Sequence, residues 1–216
     1  MKPAIQMAPF CTAKTLKNRD SIIPAQHNFP ILTMLFGLLA LVITLSSQVT
    51  SLMQFDRSAI MQGEIWRIFT GHMTHWSLSH LFWDILVFLV LAGLIERFSR
   101  RRFLACFASA SLMISLLVFA FLPEMAFYRG LSGIDSGLFM MLLVMLYHKN
   151  ASGHNLRHKI PYLLLGILFI GKTLFELATA QTFFVQPSDL FVPVPLAHLG
   201  GAFTGWIIGT LYCLEC

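Results

Sequence analysis

Residues 130–147 read GLSGIDSGLFMMLLVMLY. The stretch is apolar over its second half, while its first half holds glycines, two serines and an aspartate. A helix from Ser132 to Tyr147 would rise roughly 24 Å, short of the ~30 Å hydrocarbon core of a bilayer. Set in a membrane, its glycine-rich end at Gly130–Gly133 must therefore lie below the surface. Irregular backbone at that depth is tolerated only beside protein or a water-filled cavity. These eighteen residues predict a membrane fold and, at one end of a short helix, a place for a site.

The rest of the chain agrees with the membrane reading. Of 216 residues 56% are hydrophobic and only 12% are charged, about half the charged fraction of a soluble domain. The mean hydropathy is +0.72. Six apolar runs lie near 30–52, 78–95, 103–122, 131–147, 160–180 and 194–214. Most approach the ~20 residues that cross a bilayer, and lipid offers backbone groups no partner outside a helix. The expected fold is all-α, a polytopic bundle of six transmembrane helices. Residues 1–29 are expected to form an N-terminal tail and residues 30–216 the membrane domain. The tail holds Lys2, Lys14, Lys17 and Arg19 with no apolar stretch behind them, so no cleaved signal peptide is expected.

The net charge of +5 is a topology signal rather than a nucleic-acid footprint. Eleven basic residues fall in the tail and in the loops after the second and fourth runs; only Arg57, Arg67 and Arg129 fall on the other side. By the positive-inside rule both termini are cytoplasmic. Cys106 and Cys213 lie in apolar runs and are read as packing residues, as is Cys216, which stands i+3 from Cys213. Cys11 follows Ala8-Pro9-Phe10, a poor lipoprotein cleavage site. No cysteine spacing suggests zinc.

Ionisable groups within a membrane are functional candidates. The second run carries His80 and Asp84, with His72 and His75 just before it. The fourth carries Ser132, Asp135 and Ser136, the fifth Lys172 and Glu176, the sixth His198. Runs two, four and six all enter from the outer side, so Ser132, His198, His80 and Asp84 share one leaflet. Locally, Ser132 reads as an N-cap with Asp135 closing a capping box. Gly133 and Gly137 face a second stripe at Gly201, Gly205 and Gly209, and such stripes let membrane helices approach closely. His198 lies i−3 from Gly201, so a contact between runs four and six would bring it to Ser132. Lys172 and Glu176, i and i+4, are expected to be a self-neutralising pair.

Taken in order, Glu64-Ile65-Trp66-Arg67, His75 with His80, Gly130-Leu131-Ser132-Gly133, and Ala197-His198 with Gly201 resemble the rhomboid family of intramembrane serine proteases over about residues 30–214. The resemblance implies a Ser132 nucleophile with His198 as general base and no acidic third member. It implies an oxyanion role for His80, with Gly130 and Gly133 beside the serine. It implies structural roles for His75, Trp66 and Arg67 in or beneath a membrane-embedded loop. Asp84 departs from the usual asparagine. It could donate to an oxyanion as a neutral acid, or orient His80 as a carboxylate. The compact size, Asp84 and the GLSGIDSG motif look like the rhombosortase subfamily. That likeness implies a multi-pass protein of the bacterial inner membrane with its site open to the periplasm. Its substrates would be surface proteins ending in Gly-Gly, a transmembrane helix and a basic tail.

No cofactor or metal is expected. One rival reading is a metalloprotease using His72, His75, His80 and Asp84, although their spacing is not the HExxH pattern. Another is an inactive binder of membrane helices, against which the presence of both Ser132 and His198 argues. A transporter lacks its expected pair of broken helices.

Overall fold

The computed structural model describes residues 29–149, 157, 159–179 and 194–215. Nearly all of the expected tail, most of the loop at 148–159, Cys11 and Cys216 lie outside them. Every apolar run is helical. The helices are α1 (Ile31–Leu45), α2 (Ser47–Met53), α3 (Arg57–Met61), α4 (Arg67–Thr70), α5 (Leu78–Phe98), α6 (Arg100–Phe121), α7 (Ser132–Lys149), α8 (Ile160–Thr179) and α9 (Pro195–Glu215), with a 3-10 turn at Gly71–Met73. The chain is an all-α membrane protein. Among the described residues α5, α6 and α8 are each long and apolar enough to cross a bilayer.

The first run departs from the expected single helix. α1 and α2 meet at a 114° bend. Ser46 is the cause: its backbone is extended and its hydroxyl accepts from the Val49 N–H at 3.4 Å, capping a new helix. Thr50 Oγ1 then donates to the freed Ile43 carbonyl at 2.8 Å, so the break leaves that carbonyl paired. α1 alone rises only about 22 Å. Its start is held from the opposite helix, because the buried Glu96 carboxylate accepts from the Leu32 and Thr33 N–H groups and the Thr33 hydroxyl. A carboxylate at a helix N-terminus is stabilising.

Between α2 and α5 the chain forms a folded outer layer. A two-residue antiparallel ladder pairs β1 (Phe55–Asp56) with β2 (Phe127–Tyr128), just before the serine motif. The three outer basic residues are all used in this layer. Arg57 donates to the carbonyls of Val118, Phe119 and Leu122 at 2.8–2.9 Å, gathering the carbonyls at the C-terminal end of α6, where backbone partners run out. Arg67 is buried and donates to the Ser51 and Gln54 carbonyls and to Glu64. Arg129 donates to Gln54 Oε1 and stacks over the Trp76 ring.

α7 is the innermost helix. From Leu131 to Tyr147 no residue is exposed, and its most extensive partner is α9. A methyl group added at Gly201 would overlap the Gly133 carbonyl, and one at Gly205 would overlap the Gly137 carbonyl. The two helices touch backbone to backbone, which only glycine permits. α8 is the opposite case, with only Thr173 and Glu176 buried among its twenty residues.

Candidate active site

The α7–α9 contact places the two residues singled out for chemistry. Ser132 opens α7 and His198 sits in the first turn of α9; Ser132 Oγ and His198 Nε2 are 3.1 Å apart. The serine hydroxyl thus meets the imidazole. Asp135 Oδ1, the expected capping-box acceptor, is buried with no hydrogen-bond partner among the described residues.

Gly130 turns the chain into the serine motif. Its φ is +124°, a region that side chains avoid, and a Cβ there would lie 2.9 Å from His80 Nε2 and 3.2 Å from Asp84 Oδ2. The removal of a side chain lets Asp84 reach the backbone, where Oδ2 accepts from the Leu131 N–H at 2.9 Å. The same oxygen lies 3.2 Å from His80 Nε2 and 3.3 Å from His75 Nε2. One buried carboxylate oxygen therefore gathers two rings and the backbone next to Ser132. His75 is tied onward through Nδ1 to Thr44 Oγ1 of α1 at 3.2 Å. Gly133 stands against α9 and α6: a Cβ there would meet Ala197 O at 3.1 Å and Ile114 Cδ1 at 2.8 Å.

His72 does not join this group. Its Nε2 donates to the Ser111 carbonyl of α6 at 3.1 Å and lies 3.2 Å from Ser115 Oγ. Burial lowers its pKa to about 4, so the ring is a neutral tie between the outer layer and α6. The four residues of the metalloprotease reading are thus split, and among the described residues no three His, Cys, Asp or Glu side chains are arranged to hold a metal ion. Trp66 and Arg67 lie in the outer layer; the half-exposed Trp66 donates to the Leu52 carbonyl at 3.4 Å.

Lys172 and Glu176 do pair, with Nζ 2.8 Å from Oε1. The pair is not self-contained, however, because Glu176 Oε2 also lies 3.2 Å from His198 Nδ1. That contact departs from the two-membered site that the rhomboid resemblance implied. An i, i+4 pair explains itself locally, so nothing in its spacing points across to α9. The available signal was the depth of an acid in an otherwise apolar helix.

These groups line a cavity of about 510 Å³. α7 forms its floor with Ser132, Asp135 and Phe139, α5 one wall with Trp83 and Val87, and α8 the other with Leu168. A hydroxyl and an imidazole in hydrogen-bond contact, beneath the surface of an apolar helical bundle, define a membrane protein equipped for nucleophilic chemistry. A family model, the Rhomboid domain, matches residues 62–215, and the chain belongs to the rhomboid family. Members are intramembrane serine proteases acting on membrane-protein substrates within the bilayer. No curated protein matches the chain.

Proposed function

We propose that the protein is an endopeptidase in which Ser132 is the nucleophile and His198 the general base. It would cleave the membrane-anchored tails of bacterial surface proteins that end in Gly-Gly, a transmembrane helix and a basic segment. The observation that carries the reading is the 3.1 Å contact between Ser132 Oγ and His198 Nε2 inside a largely apolar cavity walled by two lipid-facing helices. Neutral His198 takes the serine proton as Oγ attacks the scissile carbonyl. The imidazolium returns that proton to the leaving amine, and water then hydrolyses the ester by the same route. The first-turn N–H groups of α7 have no intrahelical acceptors and carry positive dipole character toward the developing oxyanion. His80, Asp84, Gly130 and Gly133 support that end of α7; His75, Trp66, Arg67 and Gly201 hold the surrounding structure. Glycines weaken a substrate helix, which suits a Gly-Gly target that must unwind to reach the serine.

The same reading makes this a multi-pass inner-membrane protein, with both termini cytoplasmic and the site open to the periplasm. The charge asymmetry supports that orientation. A membrane domain beginning at residue 30 is supported by Glu96 of α5, which holds the start of α1, although the matched domain begins at residue 62. The test is co-expression with Gly-Gly-tailed surface proteins, alongside labelling by a fluorophosphonate. Wild type should cleave and label, whereas Ser132→Ala and His198→Ala should do neither while leaving folding largely intact. Full cleavage by Ser132→Ala would overturn the assignment.

A further inference from the structure

Glu176 is a carboxylate in the most lipid-exposed of the long helices, yet it is only 2% exposed. An isolated charge there would be costly, and buried charges persist where they are paired. Lys172 accounts for one side of it, with Nζ 2.8 Å from Oε1 and 2.9 Å from Oε2. Lys172 is itself about one-third exposed and could neutralise a carboxylate turned outward. Glu176 instead turns inward, toward α9, where Oε2 meets His198 Nδ1 at 3.2 Å. The opposite ring nitrogen of that histidine holds Ser132 Oγ at 3.1 Å. Carboxylate, imidazole and hydroxyl thus stand in line, contributed by α8, α9 and α7.

We propose that Glu176 is the positioning residue for His198, completing a relay from Glu176 through His198 to Ser132. The inference rests on the serine–histidine reading above and deepens it. An imidazole bound at one nitrogen only can sit in either tautomer and can rotate about its side-chain bonds. A carboxylate at Nδ1 requires the proton there, which leaves Nε2 as the lone-pair nitrogen facing the hydroxyl. When Ser132 gives up its proton, Nε2 accepts it and the ring becomes cationic. Nδ1–H stays bonded to Glu176, whose negative charge compensates the new positive one. No proton reaches the carboxylate. Lys172 donates to both oxygens of Glu176 from the cavity side, so the local i, i+4 pair serves the contact between helices.

The contact also explains how α8 joins the bundle near the site. Thr173 and Glu176 are its only buried residues, and Thr173 Oγ1 bonds within its own helix to Phe169 O. Of these two, Glu176 is the one that reaches across to α9.

The experiment compares Glu176→Gln, Glu176→Asp and Ser132→Ala with wild type in detergent and in liposomes. It reads kcat and KM on a cleavable substrate, the rate of fluorophosphonate labelling, and the melting temperature. Glu176→Gln keeps the shape but can present its amide nitrogen to Nδ1, which permits the wrong tautomer. It should lower kcat and the labelling rate about 10²-fold, where loss of a better-enclosed carboxylate in a serine triad removes up to about 10⁴-fold. KM should stay within threefold and the melting temperature should not change. Glu176→Asp should recover at least tenfold of the loss. If Glu176→Gln does not fold, the double variant Lys172→Met/Glu176→Gln removes both charges together and carries the same measurement. Wild-type kcat and labelling in the glutamine variant, or a loss that tracks melting temperature, would overturn the inference while Ser132→Ala stays inactive. Activity in Ser132→Ala would instead overturn the serine–histidine reading on which it rests.

Discussion

Asp84 shows how much one atom can arrange. Its Oδ2 faces the Leu131 N–H and lies within 3.3 Å of two imidazole nitrogens. The backbone N–H can only donate, so the oxygen opposite must accept. Of the two roles open from the sequence, this geometry favours the carboxylate that orients His80. An asparagine would have to place its oxygen on Leu131 and its amide elsewhere, and it would lose the charge that both rings face. Asp84→Asn should therefore lower cleavage about 10²-fold, the scale of losing a group that organises an oxyanion site, with Ser132 still present and the fold intact by melting temperature. Near-wild-type turnover would reduce Asp84 to a packing role. At this scale the sequence was legible where two residues had to meet because their helices did. Ser132, His198, His80 and Asp84 all follow from helix order and depth. Glu176 did not, because its local partner at i−4 sufficed to explain it. Nor did Arg57, whose task depends on where α6 ends.

At the scale of helices, periodicity and length carried most of the fold. All six apolar runs became helices, and the shortness of the fourth marked the helix that carries Ser132. The bend after Leu45 was missed because a single serine inside an apolar run reads as tolerated, while its hydroxyl in fact restarts the helix. The glycine stripes were legible as close packing; that they meet backbone to backbone was not, since a stripe does not state its partner. The packing gives a sharp expectation. A methyl at Gly201 cannot share space with the Gly133 carbonyl, so α9 must move away from α7 next to Ser132 and His198. Gly201→Ala should cost about 1–3 kcal/mol of stability and should abolish fluorophosphonate labelling even in the fraction that stays folded. Labelling at the wild-type rate would show that the helices can part without separating Ser132 from His198.

For the molecule as a whole, the distribution of basic residues is the support for the proposed orientation. The three on the outer side are all consumed by structure, each donating to backbone carbonyls or side chains of the folded layer. Reporter fusions should place the two termini and the segments at 96–102 and 148–159 on the cytoplasmic side. A periplasmic C-terminus would invert the shared depth of runs two, four and six, and with it the argument for the site.

α7 and α9 are held by carbonyls in contact with glycine Cα atoms, and α7 presents no exposed side chain from Leu131 to Tyr147. α8, by contrast, is apolar and outward-facing along nearly its whole length. Hydrophobic mismatch therefore acts unequally on the three. A thicker or thinner membrane changes the tilt of helices that touch lipid, and it has less hold on the sheltered α7 and on the α9 backbone locked against it. The separation of Ser132 from His198 is insulated from the host lipid, whereas the separation of His198 from Glu176 is not. Reconstitution in phosphatidylcholines of increasing chain length should change turnover in wild type and leave Glu176→Gln, which has already lost that contact, nearly flat. An equal response in both would mean that bilayer thickness reaches the serine by another route.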